Sequence, residues 1–293
     1  MGSNSRSRAG STKPLRESTV KQAPSAVDKQ NFTLSEEEEN FSGTGAYVAL
    51  KELYNGYIMS EVHDYISLEK GMHCLNIGCN SGAFLMDYAL EYPNTKFTGV
   101  DPVPISEVIT ALPNVTFKLE NVVDGLSLPD SSFDYIQVRT YANTLTRNEW
   151  PIVLKEVYRL LKPGGCVGFL EYESRETGNE DCAKVFIALR NLMESLNQEP
   201  CAGRFLKDWV VNTGLEHILT EETNVDCGPD TGKAKTVRWF WGECCTYIGP
   251  MLAPFLKVKA EDWHDFVADH LKDMEKYHGH ITIIRVLARK PLK

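Results

Sequence analysis

Between residues 73 and 173 the sequence switches repeatedly between two periodicities, and that switching restricts the fold more than any other feature. "HCLNI" reads as a buried strand, and "GAFLMDYALEY" as a helix stopped by Pro93. "KFTGVD", "VTFKLE" and "FDYIQV" are further strand-like runs, the last following the turn residues "PDSS". "NEWPIVLKEVYRLLK" is helical up to Pro163-Gly164-Gly165, and "CVGFLEYE" is again a strand. Strands separated by helices of this length need right-handed crossovers. The expected fold is therefore α/β, a doubly wound and mostly parallel sheet with helices on both faces.

The flanks extend this pattern. Upstream, "AYVALKELYNGYIMSEVHDYI" carries apolar residues at helical spacing, with Gly56 as its weak point. Downstream, residues 181–197 and 204–213 read as helices and "LEHILTEETNV" as a strand. An aromatic-rich segment, 236–256, precedes the helix "AEDWHDFVADHLKDMEKY", and "HITIIRVLARK" alternates like a strand. Residues 1–42 are polar, include the run Glu36-Glu37-Glu38-Glu39, and hold too few large apolar residues to offset the entropy of ordering. The expected organisation is a disordered tail over 1–42 and one domain over 43–293, with a helical, aromatic-rich insert near 228–278.

Composition narrows the function. The formal charge of -9 disfavours nucleic acid as a partner, because phosphate-backbone binding needs a basic face. The eight cysteines show no C-x-x-C spacing and no Cys/His clusters, which argues for reduced structural thiols and against zinc. His264 and His270 stand six apart and so do not share a helix face, and His278 and His280 flank a glycine turn at the surface. No metal site is expected. No apolar run approaches the roughly 20 residues that span a bilayer. The N-terminus lacks the apolar core of a signal peptide. It opens Met1-Gly2-Ser3-Asn4-Ser5, but Arg6 stands where an acylation signal wants Ser or Thr. The expected compartment is the cytoplasm, with the nucleus open.

The chemistry should lie at "CLNIGCNSG", where the first strand turns into a helix through two glycines. In a doubly wound sheet, ligands bind beyond the carboxyl ends of the strands, near the first of them. A dinucleotide site wants G-x-G-x-x-G. Here the spacing is Gly78-x-x-x-Gly82, with Asn80 at the middle glycine's place, which favours S-adenosylmethionine, a cofactor without phosphate. Asp101, ending "TGVD", can accept hydrogen bonds from a ribose diol, a role both cofactor classes share.

Those features, with "LENVVDGLSLPDSSFDYIQVR", "VLKEVYRLLKPGG" and a strand reaching Glu171, resemble the class I S-adenosylmethionine-dependent methyltransferases. The similarity is greatest to the branch holding ubiquinone-pathway C-methyltransferases and many fungal members. It covers residues 55–175 well and the segment after 200 mainly in layout. It implies a Rossmann-like, seven-stranded sheet whose last strand is antiparallel. It also implies that Gly78, Asn80 and Gly82 wrap the methionine end of the cofactor, and that Asp101 takes the ribose with Pro102 beside the adenine. Asn121 would meet the adenine edge and Val122 its face, while Gln137 and Arg139 would line the methyl-donor end. Tyr57 could close over the cofactor or be a core aromatic.

Two departures from that family matter. Asn76 stands where the family has an acid that holds the cofactor's ammonium group, so an acceptor oxygen stays and the charge is lost. Asn80 replaces a glycine, and Asn is the residue that best tolerates a left-handed backbone after glycine.

Methyl transfer from a sulfonium is an in-line displacement, so positioning and exclusion of water dominate. A base is needed only for a protonated acceptor. Tyr141, Glu171 and Tyr172 are the candidates by position at strand ends. The aromatic insert is either a lid over an apolar acceptor or, the simpler reading, a helix packed on the domain. The expected activity is methylation of a small or lipophilic molecule. The alternatives are a protein methyltransferase and a non-catalytic regulator that keeps the fold, with a nicotinamide oxidoreductase far behind.

Overall fold

A computed structural model describes residues 45, 47–54, 56, 58–104 and 112–293. The expected tail over 1–42 and Tyr57 lie outside the described residues. Helix α1 (residues 47–54) leads to a 3-10 turn at Ser60–Asp64, so the expected helical stretch is interrupted around Gly56. The sheet strands are β1 (His73–Ile77), β2 (Lys96–Asp101), β3 (Val115–Leu119), β4 (Phe133–Arg139), β5 (Leu161–Glu173), β6 (Glu216–Asp226) and β7 (His280–Arg289). Between them run α2 (Ala83–Glu91), α3 (Trp150–Leu160), α4 (Glu180–Ser195), α5 (Ala202–Asn212), α6 (Gly232–Leu256) and α7 (Trp263–Lys276).

The strands form one seven-stranded sheet in the order β3-β2-β1-β4-β5-β7-β6. Pairings from β3 through β5 are parallel, and β7 runs antiparallel to both neighbours. The order reverses between β1 and β4, whose register sets Asn76 opposite Gln137. In open α/β sheets such a reversal marks where ligands bind, beyond the strands' carboxyl ends.

Local chemistry explains the helices. In α3, Val153, Leu154, Val157 and Leu160 fall on one face and are buried, and a proline is tolerated in its first turn. The Asn179 side chain caps α4 by accepting from the Cys182 amide at 2.9 Å, with Glu180 and Asp181 favourably placed in the first turn. Thr231 caps α6, which runs 25 residues through Pro250 and Pro254. One face of the sheet packs on α3 and α5 through Val157, Leu206 and Val210. The other packs on α2 through Leu85 and Tyr88. Helices α4, α6 and α7 pack against one another and share the core clusters of the sheet through Val185, Phe186, Leu252 and Met274.

Candidate cofactor and acceptor site

The turn after β1 is built from left-handed residues. Gly78, Asn80 and Gly82 have φ of 69°, 52° and 70°, so Asn80 adopts the backbone expected of it. The amides of Gly78 and Cys79 both donate to Val100 O, at 2.9 and 3.2 Å. The Asn80 amide donates to Asp101 Oδ2 at 2.8 Å, and the Val103 amide to Oδ1 at 3.0 Å. Burial pushes the Asp101 carboxyl above its usual pKa, and these two N–H groups pull the other way. Each carboxylate oxygen keeps acceptor capacity for a ligand hydroxyl. Asn76, 1% exposed, points neither amide atom at a protein partner. Such an orphan pair is costly unless a ligand completes it.

The end of β4 approaches this turn. Thr140 has a φ of 54°, a strained value for a β-branched residue and one that tends to mark functional sites. Its neighbour Tyr141 sits against Gly78: a Cβ at residue 78 would overlap the ring, 2.8 Å from the hydroxyl. Glu171 fixes Tyr141 from below, accepting from the Tyr141 amide at 2.9 Å and the Ala142 amide at 3.0 Å. Complete burial raises the Glu171 carboxyl to about 8. Burial also raises the Tyr141 phenol far above its usual range, so it stays protonated. Glu171 thus holds a turn, and Tyr141 abuts the glycine loop.

The remaining expected residues are distributed as follows. Gln137 is buried, accepts from the Tyr135 hydroxyl and donates to Gly168 O at 3.1 Å. Arg139 lays its guanidinium 4.8 Å from the Phe84 ring centroid. Pro102 is exposed just beyond Asp101. The Asn121 side chain accepts from the Val123 amide at 3.2 Å, capping a 3-10 turn, and Val122 is buried within it. Gly78, Asn80, Asp101 and Tyr141 are thus brought together by direct contacts. Gln137 is engaged inside the sheet.

Beyond the Tyr141 turn lies a cavity of about 440 Å³. Asn143 and Thr144 from that turn, Tyr172, Glu173 and Ser174 from the end of β5, and Phe186 from α4 line one side. Phe240, Trp241, Cys244, Ile248 and Met251 of α6 form the other. Trp241 stacks on Phe186 with centroids 4.9 Å apart and donates its indole N–H to His270 Nε2 at 2.9 Å. The aromatic segment packs on the domain, as the simpler reading has it, and its residues also line the cavity. Glu173 was not singled out from sequence. Its signal was an acid two residues after Glu171 in an otherwise apolar strand, hence on the same face. Among the described residues no cluster of His, Cys, Asp or Glu could hold a metal.

Residues 74–165, from β1 into β5, match the family described as methyltransferase domain. That segment carries a methyltransferase domain. The methyltransferase str3 of Strobilurus tenacellus is 28% identical over 171 residues, 56% of this chain and 60% of that one. The demethylmenaquinone methyltransferase of Chlamydia trachomatis is 32% identical over 111 residues, 36% of this chain and 47% of that one. The chain thus spans less than two thirds of the length of these curated relatives. The fold of the methyltransferase domain is shared with a Haemonchus contortus phosphoethanolamine N-methyltransferase, solved with S-adenosylhomocysteine. Their TM-score is 0.54 at 18% identity, over 88% of this chain and 61% of that one. No helix among the described residues is long and apolar enough to cross a membrane.

Proposed function

We propose that this chain transfers a methyl group from S-adenosylmethionine to a small, largely apolar acceptor. The observation that carries the acceptor class is the aromatic- and aliphatic-lined cavity joined to the candidate cofactor crevice by the Tyr141 turn. Its volume lies within the range of small-molecule sites.

The residues fit the cofactor. The orphan amide of Asn76 offers an acceptor to an ammonium group, the left-handed turn from Gly78 to Gly82 offers a backbone without crowding, and Asp101 offers carboxylate oxygens to a ribose diol. Pro102, Asn121 and Val122 flank the adenine side, and Arg139 the methyl-donor side. When bound, the cofactor supplies an electrophilic methyl group on a sulfonium. The protein's own task is to align the acceptor and exclude water, and the Thr140–Leu145 turn, pinned by Glu171, stands between the two sites. The eight free cysteines support a reducing compartment such as the cytoplasm.

Incubating the protein with labelled S-adenosylmethionine and a cell extract, then separating protein from organic-soluble products, tests this reading. Label should enter the organic fraction. Label in protein alone would favour a protein acceptor, and no cofactor binding by calorimetry would favour a non-catalytic regulator. Asn76, lacking the family's charge, is the feature that motivates that last reading.

A further inference from the structure

One charged residue lines the cavity, its carboxylate closed off from solvent in the free chain and its hydrogen bonding half complete. Glu173 ends β5 with its side chain fully buried, and its Oε2 accepts from Arg175 Nε at 2.6 Å and Arg204 Nε at 2.9 Å. Its other oxygen, Oε1, is buried and has no hydrogen-bond partner. The same residue lines the cavity, among Phe186, Phe240, Trp241 and Met251. A purely structural ion pair in such surroundings satisfies both oxygens, because a buried acceptor left bare loses its hydration for nothing in return. Two guanidiniums on one oxygen keep the carboxylate in place while leaving the second oxygen for something else.

We propose that Glu173 Oε1 is the polar anchor of the acceptor pocket, taking a hydrogen bond from an O–H or N–H of an otherwise apolar acceptor. This rests on the proposed methyltransferase reading and narrows its substrate class. An acceptor with an apolar body and one donor group completes the carboxylate, whereas one whose only polar atom is an acceptor faces it lone pair to lone pair. Discrimination of this kind is strong, since it comes from a buried group left unpaired by the wrong ligand.

Glu173→Gln makes a sharp variant. The two arginines require an oxygen, so the amide oxygen turns to them and the NH2 faces the cavity. The anchor then changes from acceptor to donor without a change of shape. The probes are 2-naphthol, which carries an O–H, and 2-methoxynaphthalene, which carries only an acceptor, each measured by equilibrium dialysis against the full chain. The natural protein should prefer 2-naphthol by about tenfold or more, and Glu173→Gln should erase or reverse that preference. Met251→Trp, which fills the cavity, should abolish binding of both. Equal affinities or no binding in the natural protein, an unchanged preference in Glu173→Gln, or undiminished binding in Met251→Trp would overturn the proposal. If Glu173→Gln does not melt cooperatively, the other two measurements decide. S-adenosylmethionine binding, measured separately by calorimetry, keeps the two ideas apart. A chain that binds no cofactor but prefers 2-naphthol loses the proposed activity and keeps the anchor, and the converse removes the anchor alone.

Discussion

The Asn80 amide donates to Asp101 Oδ2 across 2.8 Å, so the turn after β1 and the end of β2 move as one unit. A change at either residue alters both the backbone and the carboxylate of the proposed cofactor site. Asp101→Ala should weaken S-adenosylmethionine binding about ten- to hundredfold, the loss of roughly 1.5–3 kcal/mol expected for hydrogen bonds to a charged group. Calorimetry checks this, and unchanged affinity would remove Asp101 from the site.

Asn76 makes a prediction with two opposite signs. Its amide is buried and unpartnered, so Asn76→Asp places a bare charge there in the free protein and should lower the Tm. Bound cofactor should reverse the effect by about 1 kcal/mol through a charge-assisted contact. The variant should therefore show a lower melting point alone and a larger cofactor-induced rise. A smaller rise than in the natural protein would show that no cation meets residue 76.

Gly78 and Tyr141 share one space. Gly78→Ala should destabilise the protein by more than about 1 kcal/mol, since it adds a Cβ at a φ of 69° and against the Tyr141 ring. Adding Tyr141→Leu should recover the steric part and leave the backbone part. Urea denaturation of both variants separates the two. Full additivity would mean that the ring had already moved aside.

Glu171 links stability to pH. Burial raises its carboxyl to about 8, whereas the unfolded chain releases that proton near the ordinary carboxylate value. Between about pH 5 and 8 the folded state holds the extra proton, so its stability falls as the pH rises, by on the order of 3–5 kcal/mol at most. Glu171→Gln sets an NH2 against one of two backbone donors and should be less stable than the natural protein at pH 5. The gap should narrow towards pH 8. Melting curves at both values check it, and a constant gap would refute the linkage.

His270 acts in the opposite direction. Burial lowers it to about 4, and its Nε2 accepts from Trp241, so the fold prefers the neutral ring. The unfolded chain binds the extra proton between about pH 4 and 6.5, so this contribution is lost as the pH falls through that window, by up to about 3 kcal/mol. His270→Gln keeps an acceptor without a titration and should flatten the acid limb of the stability profile.

The fold was legible because its signals are local. Strand-like runs, the Gly78–Gly82 turn and the helix ending before Pro163 each follow from spacing and backbone preference, and Asn80 took its left-handed backbone for the same reason. Parts of the candidate site were less legible because they depend on long-range neighbours. Gln137 falls at a strand end suited to a ligand, yet Tyr135 and Gly168, reached only through the β4–β5 pairing, take up its amide. Glu173 resembles any acid at a strand end until Arg204 arrives from α5 and α6 closes over the cavity.

The strand order also bears on how the chain is made. β6 is an edge strand whose pairing within the described sheet is with β7, while β7 fills the gap between β6 and β5. A ribosome that has released β6 but not yet residues 280–289 therefore leaves β5 with one unpaired edge and β6 with no strand partner within the described sheet. Such edges invite pairing with other chains. The interval spans α6 and α7, so the nascent protein must carry both helices and an unfinished cavity before its sheet can close. Chaperone demand during synthesis should concentrate in that interval and end when β7 slides in.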